Sequence, residues 1–332
     1  MVSMDLVLPT ALDGFLASLD WNNCIVSPIP GDASFRRYFR IANDRGQRAI
    51  LMDAPPPEED PGPFLHVAKY LLSHGFRAPE IFGSDLHHGL VLIEDFGDQR
   101  MREHLDANPE DETAIYSRAV DTLVALEQAP CATLAAYDEA TYMREVDLLA
   151  DWYLPAMQID FDRDEWTGLW SEALASVTHN GFQKTTVLRD YHAENIMLLE
   201  DGAQGLIDFQ DALVGHPAYD LVSILQDARR DVSVPLEAAM LALYREKARP
   251  DYDFDLHYAL LGAQRNTKII GIFTRLWKRD GKARYLDFLP RMWRLLERDL
   301  AHPGLAPLRH WFDRTITADI RATSPLVLEK AA

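Results

Sequence analysis

The chain has 332 residues, 48% hydrophobic and 26% charged, an ordinary globular balance with room for one large or two modest domains. Its 33 basic and 52 acidic residues leave a net charge of −19, which argues against a nucleic-acid partner. Cys24 and Cys131 have no metal-ligand spacing, no apolar run approaches the ~20 residues of a membrane span, and MVSMDLVLPT lacks the features of a signal peptide; a soluble cytoplasmic protein, not a membrane protein, is expected.

Residues 11–21 read as a short helix. Gly31-Asp32-Ala33-Ser34 reads as a tight turn, and the aromatic and β-branched residues that follow, to Ile41, read as a strand. Residues 48–55 form the next strand, stopped by Pro55-Pro56-Pro57, and 64–73 a helix. Two strands flank His87-His88-Gly89. The two histidines lack a third ligand, so no metal site is expected there. Glu94-Asp95-Phe96-Gly97 then breaks the apolar run 90–93. Beyond residue 98 the pattern turns helical, over 111–128, 142–153 (with Pro155 just after) and 164–177.

The stretch 187–211, VLRDYHAENIMLLEDGAQGLIDFQD, carries the chemistry. Asp201-Gly202 between the apolar runs 197–199 and 205–207 predicts a hairpin. That hairpin brings Asn195 and Asp208 to one end, with Asp190 beside them. Two oxygen ligands and a nearby carboxylate suit Mg²⁺ and a base; a plain hairpin with surface carboxylates is the alternative. Pro217 opens a further helix. Residues 264–284 then hold seven basic residues and one acid. Arg265, Lys268, Arg275 and Arg279 share a helical face, while Ile269, Ile270, Phe273, Leu276 and Trp277 form a buried side. The basic face is either solvated or meets an anionic substrate group or phosphates.

Asp190, four residues, Asn195 and then Asp208-Phe209 resemble the protein-kinase pattern H-R-D-x-x-x-x-N followed by D-F-G, with Leu188 and Gln210 replacing the histidine and last glycine. This variant resembles the aminoglycoside-phosphotransferase branch of the kinase-like fold. DASFRRYFR, ILMDAPPPEE, EVDLLADWYL, LRDYHAEN, IDFQDALVG and IIGIFTRLWKRDGKARYL resemble, more narrowly, its bacterial anomeric amino-sugar kinases of cell-wall recycling.

The resemblance implies an α+β, bilobal protein-kinase-like fold: a small β-rich N-lobe over 1–95 and a larger, mainly helical C-lobe over 96–332. It implies ATP and Mg²⁺, with Asp190 as catalytic base and Asn195 and Asp208 on the metal. Gly31, Asp32 and Ser34 would cover the phosphates, and backbone groups of Glu94, Asp95 and Phe96 would meet the adenine at a hinge. Asp220 resembles the aspartate that bonds the catalytic-loop backbone; a simple helix-start acid is the alternative. Glu145, Trp152 and Arg265 are candidate contacts to a small-molecule amino-sugar substrate. A basic wall would repel polycationic aminoglycosides, so a neutral or anionic substrate is expected.

One departure stands out. Met52 occupies the strand position where the wider fold carries a phosphate-binding lysine, and the helix after it has no glutamate. Either another cation, Arg36, Arg37 or Arg48, approaches the phosphates, or nucleotide binding is weakened. The rival expectations are a kinase of another hydroxyl metabolite and a non-catalytic nucleotide-binding module.

Overall fold

The computed structural model describes residues 8–30, 35–179 and 181–326. Gly31, Asp32 and Ser34 lie outside the described residues. The first helix is α1 (Leu12–Ser18). Strands β1 (Ile25–Ile29), β2 (Arg37–Ala42), β3 (Arg48–Asp53), β4 (Ile81–Asp85) and β5 (Leu90–Glu94) form an antiparallel sheet ordered β1-β2-β3-β5-β4. The strand β1 has no counterpart in the sequence expectation. Its Pro28 argues against a strand, yet β1 is the sheet edge, where a missing N–H is tolerated.

Alternation places Phe39, Ile41, Ala49 and Leu51 in one core with Leu12, Phe15 and Leu16 of α1. Met52 points to the opposite face and is also fully buried. Between β3 and β4 runs α2 (Gly62–Ser73), entered through Pro61 and Pro63; after β5 comes α3 (Met101–Ala107).

The chain continues with α4 (Glu112–Gln128) and α5 (Glu139–Leu148). The Asp138 carboxylate caps α5 by accepting from the Thr141 N–H at 2.9 Å, so this helix starts before the expected residue 142. It runs through a π turn (Leu149–Tyr153) into α6 (Leu154–Ala156). Pro155, expected to follow the helix end, sits inside α6; the widened turn before it absorbs the hydrogen bond that proline cannot donate. Then come α7 (Arg163–Thr178), β6 (Thr185–Val187) and the loop carrying Asp190. The expected hairpin is present as β7 (Ile196–Leu198) and β8 (Gln204–Leu206), with Gly202 at φ +83° in its turn.

The chain then forms β9 (Leu213–Gly215), antiparallel to β6, followed by α8 (Ala218–Leu225), α9 (Val234–Ala248), α10 (Phe254–Asp280), α11 (Leu289–Leu300), α12 (Ala306–Thr315) and α13 (Ala318–Ala322). The chain divides into two units: Met1–Pro109 with Glu194–Asp211, and Glu110–Ala193 with Ala212–Ala332. The long helix α10 is the centre of the second unit. Its Gly271 approaches α5 so closely that a Cβ would lie 2.3 Å from the Leu148 carbonyl carbon. The helix is buried on every side through most of its length. The solvated-face alternative for the basic run therefore does not hold at Arg265 and Lys268, which are 5% and 7% exposed. Among the described residues, no helix is long and apolar enough to cross a membrane.

Candidate active site

In the second unit, the loop after β6 is held by its backbone. Arg189 sits at φ +70°, a conformation that a non-glycine residue adopts at a cost. Its own N–H and that of Leu188 donate to the Asp220 carboxylate of α8, at 2.9 and 2.6 Å. Its carbonyl accepts from Arg265 Nη1 at 2.9 Å. Further on, the Ala193 N–H donates to Asp227 at 3.2 Å. Burial pushes the Asp220 carboxyl up to about 7, against the pull of the two amides. Asparagine at 220 would keep only one acceptor oxygen. Asp220→Asn is expected to cost roughly 1–3 kcal/mol and to lower kcat, checked by urea unfolding and steady-state kinetics.

The Arg189 side chain is held as firmly as its backbone. Its guanidinium pairs with Glu145 of α5 and lies 5.5 Å over the Tyr137 ring. Glu145 also accepts from Lys268 at 2.8 Å, from Gln264 at 3.0 Å and from the Tyr137 hydroxyl. Burial pushes the Glu145 carboxyl up, but Lys268 and Arg189 overcome it and bring it down to about 2. Glu145 is thus the hub of a buried polar cluster. Trp152 lies half-buried on the π turn, outside that cluster's hydrogen bonds.

Asp190 follows Arg189, and its side chain is 43% exposed. Arg265 Nη2 lies 3.8 Å from its Oδ1. Loss of hydration on partial burial pushes this carboxyl up, but Arg265, then Lys268, His192 and Arg189, leave it below the ordinary range. It is an anion at neutral pH, able to accept a hydrogen bond from a hydroxyl. Lys268, Gln264 and Tyr137 were not singled out as site residues from the sequence. The one available signal was two cations three residues apart, Arg265 and Lys268, just ahead of the apolar pair Ile269 and Ile270.

A cavity of about 300 Å³ opens beside this loop, lined by Ala136, Thr141, Arg144, Glu145, Arg189 and Leu213. Arg144 is exposed there and donates to Thr141 Oγ1 at 2.9 Å. A second cavity, of about 360 Å³, lies at the start of α9. Its arginines are neutralised by neighbours: Arg230 by Glu112, Arg291 by Asp231 and Arg298 by Glu237.

The first unit holds the other candidates. Asn195 Nδ2 donates to Asp208 Oδ2 at 3.3 Å, and Gln210 Nε2 to Asp208 Oδ1 at 2.8 Å. Asp208 is at φ +60°, the second left-handed non-glycine position among these site residues. Phe209 stacks on Phe64 of α2, 5.1 Å between centroids and 13° from parallel. The hairpin thus sets an amide and an exposed carboxylate side by side, a donor pair that fits a hard divalent cation once the amide turns its oxygen outward. Among the described residues, no group of three His, Cys, Asp or Glu could make an all-protein cage. An ion held here would need water or phosphate for its remaining ligands. The Glu94 carboxylate bonds Arg77, Asp95 pairs with Arg40 at 2.7 Å, and Phe96 packs over Gly205, whose Cβ would lie 2.6 Å from the ring. These side chains hold their own segment in place.

The profile of the "Phosphotransferase enzyme family" matches residues 25–255. The chain belongs to this family. Among its relatives, the N-acetylmuramate/N-acetylglucosamine kinase of Caulobacter vibrioides is 36% identical, over 92% of this chain and 96% of that protein. The protein of the same name from Pseudomonas aeruginosa is 39% identical, over 85% of this chain and 86% of its own length. The fold is also that of solved kinases: a choline/ethanolamine kinase family protein from Mesorhizobium loti has a TM-score of 0.63 at 13% identity, covering 90% of this chain and 97% of the other. The α+β protein-kinase-like fold is thus the family's fold, and this member is a phosphotransferase.

Proposed function

We propose that this chain is an ATP-dependent kinase that phosphorylates the anomeric C1 hydroxyl of N-acetylmuramate, N-acetylglucosamine or both, in the cytoplasm, as a step of cell-wall sugar recycling. The observation that carries this is Asp190: an ionised carboxylate on a loop tied down on both sides, in a family whose relatives at 36% and 39% identity bear that name. A module that only bound nucleotide would have no use for a fixed base.

In this mechanism Asp190 accepts a hydrogen bond from the C1 hydroxyl and orients its oxygen toward the γ-phosphorus. It takes the proton as the new O–P bond forms and the bond to ADP breaks. A hemiacetal hydroxyl is more acidic than an ordinary alcohol, so a carboxylate suffices. Asn195 and Asp208 would hold Mg²⁺, which when bound neutralises charge on the phosphates. The nucleotide's adenine falls to main-chain groups of Glu94, Asp95 and Phe96, and its phosphates to Gly31, Asp32 and Ser34. In this reading the nucleotide lobe is residues 1–95 and the sugar lobe 96–332.

We assign the sugar to the cavity beside Arg189. Glu145 and Arg265 then act by fixing the loop; Trp152 is not among the residues that line this cavity. Arg144 is the exposed cation on that cavity, and N-acetylmuramate differs from N-acetylglucosamine by a lactyl carboxylate. Arg144→Ala is expected to lower kcat/KM for N-acetylmuramate about tenfold, with little change for N-acetylglucosamine, the size of one charge-assisted contact. Comparing the two sugars on one variant checks it.

A phosphate-transfer assay with NMR of the product tests the function itself. A phosphate on C1 of either sugar is expected. Transfer only to some other hydroxyl metabolite, or tight ATP binding with no transfer to any acceptor, would replace it with one of its rivals.

A further inference from the structure

The kinase assignment leaves a gap at the phosphates. In kinase-like folds a lysine on the third strand pairs the phosphates and is held by a glutamate of the next helix. Here Met52 stands opposite Tyr38 in the β2–β3 register and is fully buried, and α2 carries no acid. No cation from that strand position replaces it.

A different pair is built close by, within the same unit. Arg36, one residue ahead of β2, donates from Nε to Glu59 Oε2 at 3.1 Å, and the two side chains are only 16% and 17% exposed. Glu59 stands three residues ahead of α2, whose Phe64 is stacked on Phe209. That stack ties the start of α2 to the segment carrying Asp208. Burial pulls the Arg36 guanidinium down, and Tyr38, Glu59, Asp208 and Asp211 more than reverse it, so the acids of the hairpin lie within its electrostatic reach. The other two arginines considered from the sequence are placed differently. Arg37 spends its fork on Asp53, with Nε at 2.8 Å, and Arg48 is exposed at the opposite end of the β2–β3 ladder.

We propose that Arg36 is the cation that meets the ATP phosphates in place of the strand lysine, and that Glu59 is its positioning residue. The ion pair of the wider fold has moved as a unit: the cation from the third strand to the entry of the second, the acid from the helix to the turn before it. A guanidinium carries its donors in a planar fork that spans two phosphate oxygens, which a lysine cannot do. Near Asp208 it also complements the ion that Asn195 and Asp208 would hold, since both neutralise the same phosphates.

This inference rests on the kinase assignment, and its test separates the two. ADP and AMP binding are measured by calorimetry on wild type, Arg36→Ala, Arg36→Lys and Glu59→Gln, beside the thermal midpoint and kinetics with both sugars. Arg36→Ala is expected to weaken ADP about tenfold with a much smaller change for AMP, the cost of one contact to a charged group. Its kcat/KM for ATP is expected to fall about 100-fold with the sugar KM unchanged. Arg36→Lys recovers part of the loss, and Glu59→Gln shows a smaller loss of the same kind. A folded Arg36→Ala whose ADP affinity and kcat/KM for ATP match wild type would overturn the assignment of Arg36. Should that variant not fold, wild-type ADP affinity in both Arg36→Lys and Glu59→Gln would do the same. Wild type that binds ADP yet phosphorylates neither sugar overturns the substrate, while the ADP and AMP comparison still decides the role of Arg36.

Discussion

Asp190→Asn is expected to lower kcat by about 10³-fold, within the range that a positioned general base supplies, while ATP affinity and the thermal midpoint stay close to wild type. The stability expectation follows from the surroundings. The Asp190 side chain is 43% exposed, and the loop is anchored by Asp220, Arg265 and Glu145 acting on its neighbour Arg189. Asparagine keeps the size and loses only the charge. Arg265 keeps the Arg189 carbonyl at 2.9 Å and lies 5.6 Å over the Tyr219 ring, so it is not stranded.

The sign of the pH dependence follows from the same cations. They hold the Asp190 carboxyl below its ordinary value, so the base is lost only as pH falls through a point under the usual carboxylate range. An acid limb of kcat near neutrality would have to come from another group. Undiminished turnover in Asp190→Asn would remove this residue from the mechanism.

What the sequence conveyed and what it concealed differ for physical reasons. The hairpin was legible because Asp201-Gly202 is a local turn signal, and local chemistry survives in any context. The strands were legible from runs of apolar, aromatic and β-branched residues, apart from β1, where Pro28 looks like a breaker until the strand is seen to be an edge. Helix α10 was misleading because periodicity reports what one helix offers and says nothing of what covers it. Arg265 and Lys268 had the spacing of a solvated face. Their burial depends on α5, α8 and the loop at Arg189, which meet α10 only in three dimensions. Glu145 was visible as a candidate; its four donors, drawn from residues 137, 189, 264 and 268, were not. The pairing of Arg36 with Glu59 across 23 residues has no sequence periodicity at all.

The second large effect is expected at Glu145. Glu145→Gln removes the one anion shared by Arg189 and Lys268, leaving two cations in a buried cluster. Breaking a buried pair from one side costs about 3–5 kcal/mol. Proton linkage gives a cost of the same size. With its carboxyl brought from an ordinary value near 4.5 to about 2, Glu145 contributes on the order of 3 kcal/mol, present above pH ~4.5 and lost as pH falls toward 2. The stability gap between wild type and Glu145→Gln should therefore be full at pH 7 and close progressively below pH ~4.5, measured by urea unfolding across pH. Adding Lys268→Met removes one stranded cation and should restore part of the stability, because an apolar side chain of similar length replaces the charge. Activity is expected to recover less. Arg189 still lacks its carboxylate in the double variant, and the orientation of Asp190 depends on Arg189. Full recovery of kcat in the double variant would mean that Glu145 stabilises the fold without positioning the base.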